Sequence, residues 1–193
     1  MDVTFTKASG RRYIIGIDRQ VGPRLAARPG PGYHPYLPHD VVHFVVETEA
    51  GIRGGVFGRA AAGDCGIFWP ADPAERRRAL RRKRRPSPEE DADMARSERL
   101  AAICLPLWEM RAGRRHRPPE WLTGYPPGEV ETPLLERICA RLDEIARHWH
   151  ALRIGGSLTL TWPYPEGRRR PPAPRRRGHR QTVRRRPARL SAR

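Results

Sequence analysis

Thr132–Trp162, TPLLERICARLDEIARHWHALRIGGSLTLTW, changes hydrophobic period once, and that change decides the fold class. Leu135, Ile138, Leu142, Ile145, Trp149 and Leu152 step by 3, 4, 3, 4 and 3, with Arg137, Arg141, Asp143, Glu144 and Arg147 on the other faces. This is an amphipathic helix, opened by Thr132-Pro133, whose apolar stripe must pack on something. Gly155-Gly156 stops it. Leu158, Leu160 and Trp162 then alternate with Ser157, Thr159 and Thr161, a strand with one buried face. One-sided helix beside one-sided strand predicts a sheet covered by helices, an α+β fold.

The N-terminus supplies more of that sheet. Val3 and Phe5 alternate with Thr4 and Thr6; Ala8-Ser9-Gly10 turns the chain; Tyr13–Ile17 follows as a second β-rich run, which predicts a hairpin. A small antiparallel sheet is expected near 2–7, 12–18 and 157–162. Residues 22–38 hold five prolines and three glycines and read as loop. Ser87-Pro88-Glu89-Glu90 is a helix start with Ser as N-cap, and Leu100, Ile103, Cys104, Leu107 and Trp108 continue it at helical spacing with Pro106 as a kink. Arg114–Gly128 is again loop. Cys65, Cys104 and Cys139 form no CxxC pair; Cys104 and Cys139 fall on apolar helix faces as small buried hydrophobes. Gly51–Gly63, rich in Gly and Ala, reads as containing a short, closely packed helix; its glycines match neither a dinucleotide fingerprint nor a P-loop and read as permitting close packing.

Charge divides the chain unevenly. Of 38 Lys and Arg against 21 Asp and Glu, eight cations lie in Arg76–Arg85 and twelve in Gly167–Arg193, which has no acid. The remainder is slightly acidic, so the net +17 belongs to two attachments rather than to the body. The organisation expected is a globular unit over 1–166, a basic insert about 72–87 that is either a solvated helix or disordered, and a disordered Arg/Pro tail over 167–193. Glu89, Glu90, Asp91 and Asp93 follow the insert and are expected to neutralise it. The tail is the stronger contact for nucleic acid or another polyanion, through Arg168, Arg169, Arg170, Arg175, Arg176, Arg177, Arg180, Arg184, Arg185 and Arg186. It has no aromatic residue to stack on bases, so that binding is electrostatic and sequence-tolerant. A GC-rich codon bias also raises Arg, but does not account for the missing acids. No apolar run approaches the ~20 residues of a membrane span, and the N-terminus has no secretory pattern, so a cytoplasmic protein without a membrane partner is expected.

One constellation points to different chemistry. His39-Asp40-Val-Val-His43-Phe-Val-Val-Glu47 is rich in β-formers, yet Val41, Val42, Val45 and Val46 also form an i, i+4 stripe, and the helix reading is favoured. On a helix, His39, His43 and Glu47 share a face and could ligate Zn²⁺; on a strand the two histidines stand about 13 Å apart and could not. The string resembles the HExxH motif of zinc metallopeptidases over five residues, with Asp40 where that motif has Glu. The resemblance implies a metal-dependent hydrolase with Asp40 as an orienting group or base. The bland reading is a helix start capped by Asp40 and two polar-face histidines. His148 and Glu144 read as a surface pair, and the patch Tyr33-His34-Pro35-Tyr36 as a cover for the core edge rather than a pocket mouth. The function expected is thus non-enzymatic nucleic-acid affinity through the tail, with the metal hydrolase as alternative and a partner-binding or structural protein with an incidental tail as the third reading.

Overall fold

The computed structural model describes residues 1–31, 34–64, 66–126 and 128–167. Strands β1 (Asp2–Lys7) and β2 (Tyr13–Asp18) form the hairpin anticipated from their alternation, and β4 (Ser157–Thr161) pairs antiparallel with the other edge of β1. A two-residue strand, β3 (Arg28–Pro29), lies in the Pro-rich segment read as loop and pairs with β2, giving the order β3-β2-β1-β4. The fold is therefore α+β, with the N-terminal strand in the middle of an antiparallel sheet.

Register explains which face is buried. Val3 stands opposite Ile17 and Leu160, and Phe5 opposite Ile15 and Leu158. Val3, Phe5, Tyr13, Ile15, Ile17 and Leu160 are all buried, while Thr4 and Thr6 hydrogen-bond across the outer face to Thr159 and Ser157. A period of two places these apolar residues on one side, and Ile14, opposite Thr6, is the exposed exception on the outer face. Gly155, at φ +85°, lies in the turn into β4, and its N–H donates to the carbonyl of Lys7.

Among the described residues there are five α-helices: α1 (His39–Glu49), α2 (Val56–Ala61), α3 (Pro73–Arg81), α4 (Pro88–Arg111) and α5 (Thr132–Ala151). Helix α1 is the hub. It packs against α2, α4 and α5, and Phe44 meets both Phe57 and Trp162 edge-on. Every residue from Asp40 to Glu47 is buried, which explains why its sequence looked like a strand. A helix covered on all sides needs no polar face, and burial of four valines outweighs their modest helix propensity. Helix α4 carries the expected Ser87 cap, completed as a capping box by Glu90, and Pro106 lies within it. Trp108 is fully buried and donates its indole N–H to Asp143, tying α4 to α5. Cys104 and Cys139 are buried free thiols. Helix α5 ends at Ala151, four residues before the glycine pair, as Leu152 leaves the helical region. Residues 73–81 are helical, capped by Asp72, so the helix reading holds for that part of the insert. Among the described residues, no helix is long and apolar enough to cross a membrane.

Candidate functional site

A cleft of about 240 Å³ opens between α1, α4 and the loop after α4. Its floor is apolar, with Val42, Ala101, Leu105 and Pro106; its polar walls hold His34, His39, His43, Glu98, Glu109 and Arg115; and Trp121 stands at its edge. Helical spacing on α4 builds one wall: Glu98, Ala101, Ala102, Leu105 and Glu109 recur every three or four residues. His39 and His43 come from the first two turns of α1, one turn apart, with ring centroids 4.8 Å from each other.

Behind His43 runs a buried polar relay. Its Nδ1 lies 3.2 Å from Ser97 Oγ, and the Ser97 hydroxyl donates to Glu47 Oε1 at 2.8 Å. The hydroxyl has a single proton, and Glu47 takes it, so the His43–Ser97 contact has His43 Nδ1–H as donor. The neutral imidazole then carries its lone pair on Nε2, which faces the exposed Glu98 carboxylate at 3.8 Å. Burial pushes the His43 pKa down, against the opposing pull of Glu98.

Glu47 shares the helix face of the two histidines but ends elsewhere. It is fully buried, and its oxygens accept the N–H groups of Val56, Phe57 and Gly58 at 2.7, 2.9 and 3.3 Å. The carboxylate caps the N-terminus of α2, which offers those unpaired N–H groups. Burial pushes its pKa up to about 7 in spite of the four donors. Gly55 makes the approach possible, since a Cβ there would lie 2.3 Å from Oε1. The glycines of 51–58 thus serve close packing, as expected, but the groups they admit are a carboxylate, the backbone at Arg53 and the side chain of Asp93.

Asp40 points away from the cleft. It neither caps α1 nor reaches His39 or His43: it accepts from Tyr13 Oη at 2.5 Å and from Arg28 at 3.1 Å. Burial, and then Asp40, raise the Tyr13 pKa. A base at Asp40 is in the wrong place to serve the histidine pair. The structure therefore joins His39 to His43, links Glu47 to them only through Ser97, and leaves Asp40 out. Among the described residues, no three His, Cys, Asp or Glu side chains stand ready as a metal-binding group.

The far wall is a second network. His34 Nδ1 accepts from the N–H groups of Tyr36 and Leu37, so its Nε2–H donates to Glu109 at 2.7 Å. Glu109 is buried and also receives Arg115 Nε at 2.5 Å. Burial lowers the His34 pKa, consistent with a neutral ring. Tyr36 packs on Trp108, with Arg114 over both rings. The aromatic patch covers the core edge through Tyr36 and lines the cleft through His34; Tyr33 lies outside the described residues.

Ser97, Glu98, Glu109 and Arg115 were not identified from sequence. A signal existed for Ser97: it occupies the apolar register of α4, where Leu100, Ala101, Cys104 and Trp108 follow at 3- and 4-residue intervals. A polar residue in a core register is buried and needs partners.

The basic run presents the opposite chemistry. Helix α3 buries no residue. Salt bridges among the described residues engage two of the eight cations, Arg78 with Glu75 and Arg84 with Glu90. The acids at 89–93 neutralise the run in part: Glu90 pairs with Arg84, whereas Asp91 pairs with Arg59, and Asp93 accepts the backbone N–H groups of Arg53 and Gly54. Arg76 and Lys83 lie over Trp69, at 5.5 and 5.9 Å from its ring. Arg84 and Gly167 line one cavity of about 490 Å³, and Gly167 N–H donates to the carbonyl of Ala61. The ten tail arginines, Arg168 to Arg186, lie outside the described residues. Comparison with known protein families, curated proteins and solved structures finds no match to this chain.

Proposed function

We propose that the protein binds nucleic acid, or a polyanion of similar charge density, by sequence-tolerant electrostatic contact along one cationic pole. One observation carries this reading. The end of the basic run and the start of the basic tail, some 80 residues apart in sequence, line one cavity through Arg84 and Gly167. Helix α3 carries Arg76, Arg77, Arg78 and Arg81 with no buried side chain, and the sequence of Gly167–Arg193 supplies twelve further arginines. Three of the four acids lining that cavity are engaged internally. Glu90 holds Arg84, Asp93 caps a loop, and Glu166 accepts from the N-terminal amine and from the N–H groups of Gln20 and Val21.

Helix α3 also carries strain that an anion relieves. Arg77 with Arg81 and Arg78 with Arg82 are like charges at i, i+4, each destabilising by a few tenths of a kcal/mol. Phosphates along the helix would neutralise them, and guanidinium forks match phosphate geometry.

Fluorescence anisotropy with a labelled duplex, over a range of salt, tests the proposal. Binding should weaken with log–log slope of about −0.9 per phosphate contacted. Deleting 167–193 should remove most affinity at low salt. Neutralising Arg76, Arg77, Arg81 and Arg82 to Gln should weaken what remains and flatten the slope. Unchanged binding after the deletion would sink the reading.

A further inference from the structure

We infer that His39 and His43 bind one transition-metal ion of the Zn²⁺ type, that Glu98 supplies the third ligand, and that Glu47 acts through Ser97 to orient His43. This assignment is independent of the cationic pole. It departs from a His39/His43/Glu47 ligand set because the Glu47 oxygens are engaged by three backbone N–H groups and Ser97.

Four features converge. First, the two imidazoles sit one turn apart on α1 with centroids 4.8 Å from each other. Rings so spaced can each turn one nitrogen onto a single ion at bonds of about 2.0 Å. Second, the Ser97–Glu47 relay fixes the His43 proton on Nδ1 and leaves the Nε2 lone pair facing the cleft. A metal-ligating histidine has this arrangement: one nitrogen bare, the other donating to a partner that sets the tautomer. Third, Glu98 Oε2 lies 3.8 Å from His43 Nε2. Ligands on a tetrahedral ion with ~2.0 Å bonds are about 3.3 Å apart, so a small rotation of Glu98 closes the gap. That side chain is 61% exposed and can rotate without disturbing the core. Fourth, the cleft of about 240 Å³ has room for the ion and a water as fourth ligand.

The donor set selects the ion. Two imidazoles and one carboxylate suit Zn²⁺, Ni²⁺ or Cu²⁺, whereas Mg²⁺ and Ca²⁺ require oxygen shells. Glu47 and Ser97 are positioning residues here. The site is assembled by the ion, since the described residues hold no ready three-ligand group; His39 and Glu98 are the arms that move, and His43 is the fixed post.

The test uses the full, tag-free chain, stripped with a chelator and titrated with Zn²⁺ by calorimetry and with Co²⁺ by visible absorbance. One ion per chain is expected. His39→Ala, at an exposed position outside the core, should weaken binding by about 100-fold, and Glu98→Gln by about 10-fold. Ser97→Ala frees the His43 tautomer and should weaken Zn²⁺ binding by about 10-fold while the Co²⁺ spectrum keeps its shape. Absence of Zn²⁺ binding tighter than about 100 µM, or wild-type affinity in His39→Ala, overturns the metal site. Wild-type affinity in Ser97→Ala overturns the orienting role.

Discussion

The histidine cleft and the cationic helix α3 are both polar, yet they are held by opposite rules. In the relay behind the cleft, Glu47, Ser97 and His43 are buried, and the contacts through Glu47, Ser97 and His43 Nδ1 are answered within the chain. On α3, nothing is buried, and most cations face outward without an acid bound to them among the described residues. A buried polar group without partners costs more than a hydrogen bond returns, so the cleft's groups arrive as a closed network. An exposed cation meets water and has no such requirement, so α3 is free to present charge to another molecule. The contrast separates a region built for internal order from one built for contact. Substitutions should therefore fail in different ways: in stability at the relay, in binding at the pole.

The largest expected effect on stability is at Glu47. Glu47→Ala leaves three backbone N–H groups of α2 and the Ser97 hydroxyl without their acceptor, at about 1–3 kcal/mol for each group left buried and unpaired. A loss of at least about 3 kcal/mol, read as the shift in a urea midpoint, is expected. A loss under about 1 kcal/mol would show that the relay is ornamental and that the contrast does not hold.

pH gives a second way to break the comparison. Burial raises the Glu47 carboxyl from an ordinary 4.5 to about 7. The native chain then holds more protons than the unfolded chain between those values. Stability from this group is complete below pH 4.5, falls as pH rises through the window, and levels off above about 7. The span corresponds to roughly 3 kcal/mol at most. Glu47→Gln keeps the volume and one acceptor oxygen. It should lower stability by about 1–2 kcal/mol at low pH and abolish the decline across the window. Measured urea midpoints from pH 4 to 8 decide it; a variant with the same decline as wild type assigns the titration to another group.

How far this contrast could be read from sequence depends on the period of each segment. Helix α5 and strand β4 were legible because each has one dry face and one wet face, and period alone distinguishes them. Helix α1 was ambiguous for a different reason: its valines suit a strand by type and a helix by i, i+4 spacing, and burial from Asp40 to Glu47 removes the contrast of wet and dry faces. The cleft was half legible. Spacing placed His39, His43 and Glu47 on one helix face, but periodicity within one element says nothing of what the next element brings. The N-terminus of α2 takes Glu47, and Tyr13 and Arg28 take Asp40. Those are long-range contacts, and only Ser97, out of place in an apolar register, hinted at one. Sequence proximity also misled at 89–93, where Asp91 and Asp93 turn toward Arg59 and the 53–54 backbone rather than toward the neighbouring basic run.

A smaller effect on stability, and the one that sharpens the comparison most, is at α3. Changing Arg76, Arg77, Arg81 and Arg82 together to Gln removes four cations with no buried contact among their neighbours on the helix. Gln and Arg have nearly equal helix propensity, and surface changes usually stay within about 0.5 kcal/mol. Removing the like-charge pair Arg77 with Arg81 relieves a few tenths of a kcal/mol, which offsets losing Arg76 from the face of Trp69. The net change in unfolding free energy should therefore be near zero. In the same protein the salt slope for duplex binding should fall by up to about 3.6, or 0.9 for each phosphate contact removed. Stability unchanged and slope reduced would separate binding from folding at this pole. A large loss of stability would instead show that α3 contributes to the fold, and that its exposed charges are structural after all.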